Sequence, residues 1–404
     1  MVTETFREAV AQFGTPVYVY DQRTIRGRIS AFDEAMTMLF WLLFAVKSNS
    51  NLAILEIIRK AETNKALMCV DAVSPGEVAL ALKTGWEPRR VIFTGNNASD
   101  EEVRFAVGKG VMVTVDSLSL LRRMGRMYPG ARVCVRFNTS IGAGHHSHCI
   151  TGGPKSKFGI WHSQVGEVRR TAKRHSLKIV GAHQHIGSQI LNHETLIRAA
   201  KALFPVAKQL PDLEFVDFGG GFGVPYRPGE KPLDLRAFGQ AFDEIFSRFC
   251  REYGKKLIPC FEPGRFLVAE SGLLVVRVTT VKKNPDGRVF VGVDSGFNHL
   301  VRPAMYGSYH YISNLSNPLG PGRKVTVVGN LCESGDKFAI DRIIANPREG
   351  DILAIHTAGA YGFSMSSSYN LRPRPPEVLV KLDGTLVLIR KRETVEQLLE
   401  RGEI

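Results

Sequence analysis

No apolar run in this 404-residue chain is long enough to cross a membrane. The densest one, Leu39–Val46, stops at a charge, Lys47. The N-terminus has no basic-then-apolar leader pattern, so a cytoplasmic location is the default and no membrane partner is expected. Cysteine is sparse: six residues, with no Cys-x-x-Cys pair. Disulfides are not expected from that spacing. Cys69, Cys134 and Cys260 lie inside apolar strand-like runs, where cysteine acts as a small hydrophobe, whereas Cys332 has polar neighbours. Internal repeats and low-complexity segments are also missing. Acidic residues are in short supply, 39 against 53 basic ones, giving a net charge of +14. The basic residues are dispersed in short groups such as Arg122-Arg123 and Lys391-Arg392, without a nucleic-acid motif. They read as solvated faces rather than a nucleic-acid surface, with a polyanion interaction as the alternative.

What is present is regular alternation. Strand-like runs fall at 39–46, 66–73, 91–94, 111–115, 132–137, 179–183, 215–218 and 258–261. Helical periodicity fills the gaps at 52–60, 76–83, 100–107, 118–127, 164–175, 193–209 and 235–253. Eight such units predict an α/β fold with a closed (β/α)8 TIM-like barrel. An open doubly wound sheet would show Gly-x-Gly-x-x-Gly after its first strand, and Lys47-Ser48-Asn49-Ser50 does not. After about residue 270 the runs are strand-like, and Asp286-Gly287 and Asp383-Gly384 are hairpin signals, so a C-terminal β domain follows.

Lys47 ends the first barrel strand. Partial burial there favours the neutral amine, a nucleophile for a carbonyl; a lysine snorkelling from a strand end is the bland reading. After the seventh strand comes Gly219-Gly220-Gly221, whose backbone N–H groups can meet an anion. After the eighth comes Glu262-Pro263-Gly264-Arg265, a carboxylate and a phosphate clamp. The sixth ends in His183-Gln184-His185-Ile186-Gly187-Ser188. One imidazole can stack on a planar ring and Ser188 can donate to a phosphate; a metal held by the two histidines is the rival, although no metal is expected. A planar, phosphorylated cofactor bound to lysine is pyridoxal 5′-phosphate.

These motifs, with Phe44-Ala45-Val46-Lys47, Cys332-Glu333-Ser334-Gly335-Asp336, Ala358-Gly359-Ala360-Tyr361-Gly362 and Tyr369-Asn370-Leu371-Arg372-Pro373, resemble the fold-type III pyridoxal-phosphate decarboxylases, whose fold is alanine racemase-like. The resemblance runs through nearly the whole chain. It implies a barrel over 22–268, with 1–21 and 269–404 forming a β-rich domain that contributes active-site residues. Lys47 is then the cofactor's covalent anchor, and His185 stacks on its ring. Glu262 holds the ring nitrogen. Ser188, Gly219, Gly220, Gly221, Gly264, Arg265 and Tyr361 surround the phosphate, with Asp71 and Arg136 nearby. Cys332 and Glu333 enter from the partner subunit of a homodimer, across whose interface Lys157 and Asp336 match paired positions.

Leu300–Tyr306 brings the resemblance closest to the branch acting on meso-2,6-diaminopimelate. That implies α-decarboxylation to L-lysine and carbon dioxide, the last step of lysine biosynthesis, with Cys332 as proton donor to the carbon. Arg302 is the candidate for the distal carboxylate, with Glu333, Tyr306, Arg265 and Tyr361 completing the substrate pocket. A structural salt bridge at Arg302 and an inert thiol at Cys332 remain alternatives. A decarboxylase of D-ornithine or D-lysine is the nearest rival function. A racemase is disfavoured by a carboxylate at Glu262, and a non-catalytic regulator by the presence of Lys47 and Cys332. The loop Gly142–His148, rich in histidine and glycine, reads as a mobile flap.

Overall fold

The computed structural model describes residues 2–144, 146–400 and 402. It divides into two compact units, Arg26–Val224 with Lys231–Leu267, and Met1–Ile25 with Pro225–Glu230 and Val268–Ile404.

The first unit is a closed barrel of eight parallel strands. They are β1 (Phe40–Ala45), β2 (Ala66–Ala72), β3 (Val91–Phe93), β4 (Met112–Val115), β5 (Arg132–Asn138), β6 (Lys178–His183), β7 (Phe215–Asp217) and β8 (Ile258–Phe261). Each pairs with the next, and β8 closes on β1 with Cys260 opposite Trp41. Closure excludes the open sheet. Barrel strands are buried on both faces, which is why they read as apolar runs rather than alternating ones. Leu43, Cys69, Ile92, Cys134, Val180, Phe215 and Cys260, each from a different strand, form one buried cluster that fills the barrel. Burial pushes the Cys69 thiol up to about 12 and those of Cys134 and Cys260 upward too, so all three serve as uncharged fillers.

The helices start on side-chain caps placed soon after the strands. Ser74, Ser99, Ser117, Asn192 and Asp234 each accept a backbone N–H from the first turn. The last helix, Leu235–Tyr253, aligns Phe238, Phe242, Phe246 and Phe249 on its buried face. The Phe242 ring lies 4.9 Å from those of both Phe218 and Phe261, locking the helix against the ends of β7 and β8.

In the second unit, strand Val17–Asp21 lies between Gly272–Lys283, antiparallel, and Glu377–Val380, parallel. Both hairpins signalled by Asp-Gly form, with Gly287 at φ 85° and Gly384 at φ 86°. Val17, Val19, Val275, Ala354 and Val378 make its core, and Ala9 of helix Val2–Phe13 packs into it. That helix and Gln22–Ala35 add to what periodicity indicated, as do strands Ile312–Asn314 and Lys337–Ala345.

Candidate active site

The polar groups of the barrel collect at the carboxyl ends of its strands, where loops are free to vary. Lys47 follows β1 in a short 3-10 turn, Val46–Ser48. Its ammonium pairs with Asp71 at the end of β2, and the hydroxyl of Thr94, just past β3, donates to the other oxygen of that carboxylate. Burial pushes the Asp71 carboxyl up, as does the charge of Glu262, against the pull of Lys47 and Thr94. Arg136 of β5 is buried, stacked 4.6 Å from the Phe158 ring centre, and its Nη2 has no hydrogen-bond partner.

His185, just beyond β6, accepts a hydrogen bond at Nδ1 from the backbone N–H of Gly220, at 3.0 Å. Burial pushes its imidazole down to about 3, with Arg136 and Lys47 pushing the same way against Glu262. The ring is therefore neutral, as a lone pair at Nδ1 requires. Ser188 Oγ accepts from Arg265 Nη2 at 3.0 Å. Beside them Gly219 and Gly221 take φ of 71° and 99°, open only to glycine at low cost. A Cβ on Gly220 would sit 2.2 Å from the carbonyl oxygen of Glu262. Gly264 is equally pressed: a Cβ there would stand 2.9 Å from Ser48 Oγ, beside Lys47. Glu262 itself is 4% exposed. Burial pushes its carboxyl up, but His183, then Lys47 and His185, outweigh burial and hold it below the usual carboxylate range.

These groups fit a phosphorylated pyridine. The glycine turn, Ser188 and Arg265 suit a phosphate, the orphaned Oε1 of Glu262 suits a ring nitrogen, and neutral His185 suits a ring face. A cavity of about 550 Å³ lies apart from them, lined by Arg169, Lys173, Leu177 and Leu210 among others.

The second unit carries the remaining sequence candidates. Arg302 is buried and donates from Nη2 to Ser308 Oγ at 3.2 Å. Its guanidinium lies 5.8, 5.7 and 5.8 Å from the ring centres of Tyr226, Tyr306 and Tyr361. Cys332 is exposed and paired twice with Asn370, whose Nδ2 donates to Sγ at 3.2 Å and whose Oδ1 accepts the Cys332 N–H at 3.1 Å. Glu333 is exposed as well. Asp336 is buried and accepts the backbone N–H groups of Phe297 and Leu331 in its own chain. In the histidine-rich loop, Ala143–Gly144 pairs with Gly187–Ser188, and His146 and His148 meet edge to face. His145 lies outside the described residues.

The family model described as pyridoxal-dependent decarboxylase, pyridoxal binding domain, matches residues 22–269. A diaminopimelate decarboxylase from Methanothermobacter thermautotrophicus is 45% identical, over 98% of this chain and 93% of that protein. The diaminopimelate decarboxylase of Escherichia coli is 38% identical, over 99% and 96%. The crystal structure of diaminopimelate decarboxylase from Helicobacter pylori complexed with L-lysine superposes with a TM-score of 0.89 at 34% identity, over 98% of each chain. The chain belongs to the diaminopimelate decarboxylase family. Its cofactor is accordingly pyridoxal 5′-phosphate, and its reaction class is that of a carboxy-lyase.

Sequence reasoning passed over Thr94, Asp217 and His183 in the barrel and Tyr226 in the second unit. Thr94 and Tyr226 carry no motif. Asp217 was visible only as the residue before the glycine run, and His183 only as the neighbour of His185. The two histidines do not face a common ligand: His185 is engaged by Gly220, whereas His183 approaches Glu262.

Proposed function

We propose that this chain removes the carboxyl group at the D-configured centre of meso-2,6-diaminopimelate, yielding L-lysine and carbon dioxide. The observation that carries the reading is the ring of strand ends in the barrel: a lysine just after β1, a phosphate cradle after β7 and β8, and an ionised buried carboxylate at Glu262. Pyridoxal phosphate, when bound, would supply an electron sink for loss of carbon dioxide. Lys47 would be the cofactor's covalent anchor, and Asp71 keeps its side chain aimed at that position. Glu262 holds a proton on the ring nitrogen. His185 would lie against the ring face, with Arg136 nearby. Gly219, Gly220, Gly221, Ser188, Gly264, Arg265 and Tyr361 hold the phosphate.

Arg302 selects the substrate. A guanidinium fork matches the distal carboxylate of diaminopimelate, which ornithine and lysine lack. Glu333 meets the distal ammonium, with Tyr306 and Arg265 completing the pocket. Cys332 delivers the proton to the α-carbon, with Asn370 orienting its sulphur. Cys332 and Glu333 are exposed in the single chain, which suits residues that serve the site of a second copy in a homodimer. The enzyme works in the cytoplasm on this small diamino acid.

The test incubates purified protein and pyridoxal phosphate with meso-diaminopimelate, D-lysine or D-ornithine, following carbon dioxide and product chirality. L-Lysine from meso-diaminopimelate alone, absent with Lys47→Ala, supports the reading. Turnover of only the simpler diamino acids would leave the cofactor site standing and reduce Arg302 to a structural role. Mixing Lys47→Ala chains with Cys332→Ala chains restores part of the activity if sites are shared between copies.

A further inference from the structure

Behind the ring of cofactor contacts lies a polar cluster that the mechanism above does not use. His183 ends β6 and Asp217 ends β7, and the sheet register sets the two directly opposite each other. Glu262 follows β8, the next strand round. His183 and Asp217 are each 1% exposed. One ligand-capable atom from each of the three residues falls within 4.8 Å of the others. His183 Nε2 stands 3.3 Å from Glu262 Oε1, in ion-pair range but poorly aligned, and neither atom has a hydrogen-bond partner. Asp217 Oδ1 accepts the Gly219 N–H at 2.9 Å, and Glu262 N–H donates to Gly219 O at 3.0 Å, so one glycine ties both carboxylates to the cradle.

Two buried carboxylates this close do not both ionise. Burial pushes the Asp217 carboxyl well up and the charge of Glu262 pushes it further, while Glu262 is held down. The shared proton therefore rests on Asp217. Lys47, Asp71, Arg136 and His185 also face the cluster, together with the thiols of Cys69, Cys134 and Cys260, which burial keeps uncharged. An ionised Glu262 with a neutral carboxyl and an imidazole beside it is a poorer home for a proton than a pyridine nitrogen.

We propose that His183 and Asp217 are positioning residues, each presenting a donor group to Glu262 so that the proton it shares with the cofactor stays on the ring nitrogen. This rests on the assignment of Glu262 to that nitrogen. His183→Phe and Asp217→Ala remove one donor each; His183→Gln and Asp217→Asn keep a neutral donor in a similar place.

The experiment reads the ring proton directly, by the nuclear magnetic resonance shift of pyridoxal phosphate labelled with the heavy nitrogen isotope in its ring, in the holoenzyme across pH. His183→Phe and Asp217→Ala should lower the midpoint for loss of the ring proton by about one pH unit, a tenfold weaker hold. His183→Gln and Asp217→Asn should restore most of it. Glu262→Gln, measured alongside, separates the two assignments. If it leaves the ring unchanged, the role of Glu262 fails. If it shifts the ring while His183→Phe and Asp217→Ala do not, only the positioning role fails. The wild-type holoenzyme gives a second reading that needs no tolerance of large substitutions. Near neutral pH, its infrared difference spectrum against Asp217→Asn should contain a carboxylic-acid carbonyl band. Its absence would mean Asp217 is ionised and would overturn the proposal.

Discussion

Acidifying the cofactor-free protein should expose the cost of burying His185. Its imidazole is held neutral down to about 3, chiefly by burial, whereas a histidine in the unfolded chain titrates near 6.5. Between those values the unfolded state binds a proton that the folded state refuses, so stability rises with pH across the window. The contribution is fully favourable above the unfolded value and is lost as pH falls from about 6.5 toward 3. At pH ~5 the unfolded chain gains roughly 1.5 pH units of proton binding over the folded one, about 2 kcal/mol relative to pH ~8. Protonation would also take the Nδ1 lone pair that receives the Gly220 N–H. His185→Asn keeps an acceptor near that place and cannot titrate. Urea unfolding followed by tryptophan fluorescence at both pH values gives the comparison. Wild type should lose about 2 kcal/mol more than His185→Asn on going from pH ~8 to ~5. Equal losses in the two proteins would refute the reasoning, because some other group would then carry the acid sensitivity.

Gly220→Ala places a Cβ 2.2 Å from the Glu262 carbonyl oxygen, so the loop must shift; pyridoxal phosphate affinity should drop at least about tenfold in a fluorescence titration. Phe242→Ala empties the centre of the phenylalanine cluster on the last barrel helix and should cost about 3–5 kcal/mol, read as a lower urea midpoint. Arg302→Lys keeps the charge but loses the planar fork; kcat/KM for meso-diaminopimelate should fall about a hundredfold, with the bound cofactor's visible absorbance unchanged.

The barrel was legible because its strands are buried on both faces and its helices on one, so the two periodicities separate cleanly. The eight strand-like runs matched observed strands to within a residue. Helix Gln22–Ala35 carries a readable signal that went unused: Ile25, Ile29, Phe32 and Met36 are buried at helical spacing, and Asp21 accepts the N–H groups of Arg23 and Thr24. Strand Lys337–Ala345 hides for a physical reason. Ile340 and Ile343 are exposed on it, so neither alternation nor a continuous apolar run marks it. At the site, loop motifs announced themselves through glycine and charge. Thr94, Asp217 and His183 act through partners on neighbouring strands, and sequence spacing carries no record of which strands become neighbours. Tyr226 stands in the same position, placed beside Arg302 by a short excursion of the chain, Pro225–Glu230.

The three thiols that fill the barrel give the protein an internal clock. Cys69, Cys134 and Cys260 are sealed between strands and stay protonated, so a thiol reagent in solution meets none of them while the barrel is closed. Cys332 is exposed in the single chain and meets the same reagent sooner. Labelling therefore splits in time into an early phase, at Cys332 and the half-buried Cys149 and Cys250, and a delayed one at the three barrel thiols whose rate is that of strand separation. An unmodified chain can thus report how often its barrel opens, with no probe added to it.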